Sequence, residues 1–321
     1  MRYANNDKGL GIVLTPHHIA ELFTLIAGIN KDSIVFDNCC GTGGLLIAAM
    51  KQMINDAGAN LKLQKRIKGQ QLFGIEYQPK NCTLAVCNMI LHDDGKANVY
   101  QADCFDAGSS LFQFEDNNGN IIKAKPTVGL LNPPYRDKTI PEDIEELEFV
   151  INNLEYLDKG CRCIAIVPIT CATAPSGVIA DLKRRLLEKH TLEAVMSMPI
   201  ELFHNSKTNV VTCVMVFTAH RPHPKGKKTW FGYWREDALV KIRNLGRIDQ
   251  NGKWTDIRDY WVQSFMNREV LDRFSVMTEV GPQDEWCAEA YLTPDYNSIS
   301  IDSLSKAAMK YSMVQIMVNG G

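Results

Sequence analysis

The chain has 321 residues, a formal net charge of −2, 45% hydrophobic and 22% charged residues. This is the balance of a soluble globular protein large enough for one big α/β domain or two smaller ones. A protein that grips a nucleic-acid backbone unaided is usually basic, so any such grip here must be local or supplied by a partner. No run of about 18 apolar residues occurs, and the start, Met1 to Gly9, is polar without an apolar core of a signal peptide; the chain is expected in the cytoplasm. Its ten cysteines show no C-x-x-C spacing, so neither a zinc site nor a disulfide framework is expected, and no metal is assigned.

In chain order, Thr15-Pro16 precedes the apolar-periodic run Ile19, Leu22, Phe23, Ile26. That reads as a helix with Thr15 as cap and Pro16 in its first turn. Ser33 to Asp37 reads as a short buried strand ending on a carboxylate. The glycine-rich turn Asn38 to Gly44 follows and opens directly into the helical run Leu45 to Met50. Strand, glycine turn, helix is the context in which close backbone approach and exposed N–H groups suit a nucleoside-bearing ligand. No Gly-Lys-Ser/Thr follows, which argues against a phosphate loop, and no G-x-G-x-x-G is present for a dinucleotide.

Residues Asn55 to Gln70 carry Lys62, Lys65, Arg66 and Lys68 and read as a solvated helix, with the insertion from 51 to 70 looped out. The next strand, Gln71 to Glu76, ends on Glu76, a carboxylate placed to hold ribose hydroxyls. Leu84, Val86, Met89 and Ile90 read as the core face of a helix. Asn98 to Ala102 is a third strand leading to Asp103 and Phe105, one an acceptor for an amino group and the other a ring to stack on a base. A polar turn around Asp116 to Asn120 precedes the fourth strand, Val128 to Leu131. Then come an acidic helix from Asp143 to Leu157, a fifth strand from Cys161 to Val167, a basic helix from Val178 to Lys189, and strands at Leu192 to Met198 and Val210 to Thr218, the last two an antiparallel pair. The alternation predicts a Rossmann-like α/β fold: seven strands, mostly parallel, with an antiparallel edge strand and helices on both faces.

The fourth strand delivers Asn132-Pro133-Pro134-Tyr135. Two prolines make this loop rigid at the sheet edge where α/β proteins bind ligands. The Asn132 side-chain oxygen and the Pro133 carbonyl are two acceptors with no donor between them, and Tyr135 adds an aromatic face. Such a set clamps a planar amino group. Accepting both of its hydrogens draws the nitrogen toward a nucleophilic form, and preorganisation holds the acceptors ready. A Pro-Pro turn with an Asn cap is the alternative for an isolated match.

Taken together, Thr15-Pro16, Asp37-Asn38-Cys39-Cys40-Gly41-Thr42-Gly43-Gly44, Glu76, Asp103 and Asn132-Pro133-Pro134-Tyr135 resemble the S-adenosylmethionine-dependent DNA adenine-N6 methyltransferases. The chain looks most like the modification subunit of type I restriction-modification systems and the methylase module of fused restriction-modification enzymes. Asn88-Met89-Ile90-Leu91-His92, Ile164 to Pro168 and Leu202-Phe203 extend the resemblance over roughly residues 11 to 218.

The resemblance implies that Asp37, Cys40, Gly41, Thr42 and Gly43 surround the methionine part of S-adenosylmethionine, with Thr15 and Pro16 closing over it. Glu76 would hold the ribose and Asp103 the adenine, with Phe105 beside the ring. Asn132 and Pro133 would bind the target amino group of a flipped DNA base, Pro134 would stiffen the loop, and Tyr135 would stack on the base with Phe203 as a second wall. DNA, a specificity subunit or domain and a restriction subunit are the implied partners. Asn38 stands where the family has proline, and Thr127 where many members have aspartate. Residues 1–220 are expected to be the catalytic domain and 221–321 an extension packing on it, with exposed aromatics and a last stretch that reads as a docking helix. Two other readings remain open at this point: a methyltransferase acting on RNA or protein glutamine, and a non-catalytic assembly subunit. A nicotinamide oxidoreductase is disfavoured because it gives Asn132 to Tyr135 nothing to do.

Overall fold

The computed structural model describes residues 14–92, 98–115, 120–136, 144–203, 210–242 and 246–293, with 300–302, 304, 305 and 309. The polar start, the turn tip at 116–119, Asp143 and the final stretch 310–321 lie outside the described residues. In chain order the elements are α1 (His17–Ala27), β1 (Val35–Asp37), α2 (Gly44–Ala57), α3 (Leu61–Gln70), β2 (Leu72–Glu76), α4 (Pro79–Leu91) and β3 (Asn98–Gln101). A small hairpin of β4 (Gln113–Glu115) and β5 (Ile121–Lys123) precedes β6 (Val128–Leu131). The chain continues through α5 (Glu146–Tyr156), β7 (Arg162–Pro168), the short α6 (Thr170–Thr173), α7 (Gly177–Lys189), β8 (Thr191–Ser197) and β9 (Thr212–Thr218). It then forms β10 (Thr229–Tyr233), a hairpin of β11 (Val240–Ile242) and β12 (Gly246–Ile248), α8 (Trp254–Asn267) and β13 (Ser275–Thr278).

Nine strands form one sheet in the order β13-β10-β8-β9-β7-β6-β1-β2-β3. It is mostly parallel, with β9 antiparallel to both β7 and β8 and β13 antiparallel to β10. Strand residues alternate between two buried clusters. In β7, Ile164 and Ile166 face the layer of α1, α2 and α8, while Cys163, Ala165 and Val167 face that of α5 and α7. Burial on both faces explains why these strands read as continuous apolar runs. A glycine at 129 brings α5 close to the sheet, because a Cβ there would lie 1.9 Å from Asn153 Oδ1.

The mixed α/β architecture matches the expectation, and several of its details change. The sheet has nine strands rather than seven, and β9 lies inside it rather than at its edge. β10 runs parallel to β8, pairing Trp230 with Ala194 and Phe231 with Val195, so the chain beyond residue 220 builds part of the same sheet. The aromatics expected to be exposed there are mostly core: Trp230, Trp234 and Trp286 are buried, and Trp234 stacks on Trp261 at 5.0 Å. In α4 the inward side is Asn81, Cys82, Ala85 and Met89, while Leu84 and Ile90 are exposed. The segment after α2 is not looped out, since α3 packs there through the buried Ile67.

Candidate active site

The chain visits β1, β2 and β3 in one direction across the sheet and then returns to β6 and β7 on the other side of β1. The order therefore reverses between β1 and β6, and their carboxyl ends diverge to leave a crevice there. A cavity of about 260 Å³ occupies it. β1 contributes Asp37, the glycine turn contributes Asn38 to Thr42, and β2 contributes Glu76; Leu14 and Thr15 enter from before α1, and Asn132, Pro133 and Pro134 from the end of β6. Gly41 and Gly43 adopt φ of 54° and 82°, left-handed values that suit glycine and turn the loop into the amino end of α2.

Two carboxylates lie at the floor. Glu76 Oε2 accepts the Gly41 N–H at 3.0 Å and Oε1 the Gln78 N–H at 2.8 Å. Asp37 Oδ1 accepts the Cys39 N–H at 3.0 Å. Burial pushes the Asp37 carboxyl up to about 8, and the charge of Glu76 adds to this against the Cys39 hydrogen bond. Burial also raises Glu76, opposed by the Gln78 and Gly41 N–H groups and the Asn81 amide. A cationic ligand relieves such a pair, because it supplies the counter-charge that the protein withholds.

On the opposite wall, Asn132 Nδ2 donates to Thr15 Oγ1 at 3.0 Å. This bond turns the nitrogen of the amide to Thr15 and leaves oxygen as its acceptor end. Thr15 is accordingly not the helix cap that the sequence suggests: α1 starts at His17, and Pro16 precedes it with no side-chain cap. Tyr135 follows Pro134, with its ring edge-on to Phe203 at 6.0 Å. Its hydroxyl is buried without a hydrogen-bond partner among the described residues, and burial keeps the phenol neutral. The next residue is pinned to α5: Glu146 Oε1 accepts the Arg136 N–H at 2.8 Å, and the Arg136 guanidinium pairs with Glu145.

A buried asparagine set fixes the floor. Asn38 Nδ2 donates to the Phe149 carbonyl at 3.0 Å and to Asn152 Oδ1 at 2.8 Å. Asn152 Nδ2 donates to the Cys104 carbonyl at 3.1 Å, and Asn153 Nδ2 to Asn38 Oδ1 at 3.2 Å. The glycine turn, the loop after β3 and α5 are thereby tied together. From α4, Asn88 Nδ2 donates to the Thr42 carbonyl at 3.1 Å and braces the same turn.

Of the residues singled out from sequence, Thr15, Asp37, Cys40, Gly41, Thr42, Glu76, Asn132, Pro133 and Pro134 line one cavity. Pro16, Gly43, Asp103, Phe105, Tyr135 and Phe203 do not line it. Beyond β3 the wall is Ala102 and Cys104, with Phe149 from α5; Phe105 packs edge-on against Phe149 at 5.0 Å, and Asp103 Oδ1 accepts the Phe105 N–H at 2.9 Å. Sequence reasoning missed Tyr77, Gln78, Asn81 and Phe149. Tyr77 and Gln78 form the β2–α4 turn and Asn81 lies in the first turn of α4, so their place just after Glu76 is a signal that the strand-end argument could have used.

Crevice, glycine turn and strand-end carboxylate define a Rossmann-like protein of the class I methyltransferase fold. Residues 1–281 match the N-6 DNA methylase family, and the chain belongs to it. This is a family of S-adenosylmethionine-dependent methyltransferases. The chain is 36% identical over 301 residues to the type II restriction enzyme and methyltransferase RM.BcgI of Heyndrickxia coagulans, covering 92% of this chain and 45% of that protein. It is 24% identical over 270 residues to the type I restriction enzyme MjaVII methylase subunit of Methanocaldococcus jannaschii, covering 78% of this chain and 44% of that one. The chain thus spans less than half the length of these relatives. Among solved structures, the EcoKI M protein superposes with a TM-score of 0.59 at 20% identity, over 79% of this chain and 55% of that one. A modification subunit of a putative type I restriction enzyme from Vibrio vulnificus superposes with a TM-score of 0.63 at 16% identity, over 93% and 62%.

Proposed function

We propose that this chain transfers the methyl group of S-adenosylmethionine to the N6 amino group of adenine in DNA, as the modification component of a restriction-modification system. The observation that carries the reading is that the acceptor clamp at Asn132 and Pro133 lines the same cavity as the glycine turn, Asp37 and Glu76. Family membership supports the substrate.

The fit to the cofactor rests on the cavity's chemistry. Left-handed glycines give backbone approach, Glu76 offers acceptors for ribose hydroxyls, and the raised Asp37 and Glu76 favour a cationic ligand. Asp37, Cys40, Gly41 and Thr42 would hold the methionine part, Gly43 would shape the turn, and Thr15 and Pro16 would close over it. Asp103 would face the adenine, with Phe105 backing Phe149. When bound, the cofactor supplies an electrophilic methyl group on a positive sulfonium. Asn132 Oδ1 and the Pro133 carbonyl accept the two hydrogens of the target amine and favour charge developing on its nitrogen, Pro134 keeps the carbonyl fixed, and Tyr135 offers its ring to the base with Phe203 behind it. A base can reach the clamp only after leaving the duplex, which costs a few kcal/mol and is offset by stacking.

DNA, a specificity subunit or domain and a restriction subunit are the partners that this reading assigns. A net charge of −2 supports a division of labour in which a partner reads the sequence and this chain does the chemistry. Residues 1–220 would be the catalytic unit, with 221–321 as the extension that completes its sheet. Calorimetric titration with S-adenosylmethionine tests the cofactor assignment. The wild type should bind saturably, and Gly41→Asp, which puts a third carboxylate beside Glu76 at a left-handed position, should not. Equal binding by both would remove the cavity from the account.

A further inference from the structure

Asn81 lies in the first turn of α4, is only 4% exposed, and lines the cavity beside Glu76. Its amide nitrogen donates to Gln78 Oε1 at 3.3 Å and also reaches the Glu76 carboxylate. The Glu76 carboxylate can only accept. Reversing the Asn81 amide would set its oxygen against that carboxylate, so Glu76 fixes the orientation. The consequence is that Oδ1 is buried with no hydrogen-bond partner among the described residues. A buried acceptor in that condition is a rare and unfavourable feature, and it calls for a donor from outside the protein.

We infer that Asn81 Oδ1 is a ligand acceptor that works with Glu76 to read the vicinal hydroxyls of a ribonucleoside. This rests on the cofactor assignment above and adds a specificity residue to it. Each Glu76 oxygen already takes one main-chain N–H, from Gly41 and from Gln78. A cis-diol brings two O–H donors side by side. One meets the carboxylate, the other meets the neighbouring amide oxygen, and the orphaned acceptor is satisfied. A deoxyribose supplies one donor only. The pair therefore discriminates a ribonucleoside cofactor from the deoxynucleosides of a DNA substrate, which would otherwise compete for the same pocket.

The test uses the full chain, S-adenosylhomocysteine and its 2′-deoxy and 3′-deoxy analogues, with Asn81→Ala and the nearly isosteric Asn81→Leu. Binding is measured by calorimetry and folding by thermal unfolding. The wild type should lose about tenfold in affinity for each analogue, the size of one hydrogen bond at 1.4 kcal/mol. Either Asn81 variant should lose about tenfold for the full ligand, and should show no further loss for one of the two analogues while still discriminating against the other. A folded variant that keeps both discriminations would overturn the inference and reduce Asn81 to a brace for Glu76. Failure of the wild type to bind S-adenosylhomocysteine at all would overturn the cofactor assignment, and the inference with it. The two failures are distinguished by the wild type alone.

Discussion

Asp37 is unfavourable for the fold, and in the proposed function it is useful for the ligand. Its carboxyl titrates near 3.8 when solvated and at about 8 in the folded chain. The sign follows from linkage. Stability from the protonated form is fully present below about pH 4 and is lost as pH rises through about 8, where the folded chain must ionise a buried group. Asp37→Asn keeps an acceptor for the Cys39 N–H and carries no charge. Without ligand, it should unfold a few degrees above the wild type at pH 8 to 9, and the gap should close toward pH 4. The affinity of the wild type for the cationic methyl donor should rise from pH 7 to pH 9 beyond any change seen in Asp37→Asn. Thermal unfolding and calorimetry across that range check both. Parallel pH profiles would mean that Asp37 is not the group that meets the cation.

At the scale of elements, the position of Thr15 depends on how α1 is anchored. His18 Nε2 lies 3.7 Å from Asp237 Oδ2, and its ring meets Trp254 edge-on at 4.9 Å. Asp237, 2% exposed, receives Arg247 at 2.9 and 2.6 Å and the Leu239 N–H at 3.1 Å. The β11–β12 hairpin and α8 thus hold the helix whose leading residues enter the cavity. Asp237→Ala leaves Arg247 without its buried partner and should cost about 3 kcal/mol in urea unfolding. Replacing Asp237 and Arg247 together by leucines should cost less than the single change, since no orphaned charge remains. A double variant as unstable as the sum of both singles would show that the pair acts independently.

Elements with strong local signals were legible in the sequence. β1, β2, β6 and β7 are short apolar runs, and each of β1, β2 and β6 ends on or just before the polar residue that lines the cavity. β10 was missed because Thr229 to Tyr233 is rich in aromatics and sits among polar residues, and what buries it is pairing with β8, a partner over 30 positions away. The helix-cap reading of Thr15 failed for the same reason: its hydroxyl is claimed by Asn132, 117 positions on. Asn38, Asn152 and Asn153 look like ordinary polar residues in a linear sequence. Only the fold reveals that each is buried and answers the others.

For the whole molecule, the nine-stranded sheet takes in β10 and β13, so the region beyond residue 220 belongs to the same sheet as the strands that bear the crevice. No described helix is long and apolar enough to cross a membrane. One cavity brings the glycine turn, Asp37 and Glu76 together with Asn132 and Pro133, and in the proposed function this near-neutral chain leaves DNA reading to a partner. In the proposed function Asn132 serves methyl transfer and not cofactor binding. The most direct measurement is N6-methyl-2′-deoxyadenosine formed in DNA by the purified chain, supplied with its specificity partner, beside calorimetric titration of the wild type and Asn132→Ala with S-adenosylmethionine. The expected result is a fall of methylation by at least about 10²-fold in Asn132→Ala, the scale for losing a preorganised polar group at the reacting atom, with affinity for the methyl donor changed by less than about threefold. Equal loss of binding and methylation, or methylation that survives the substitution, would contradict the account.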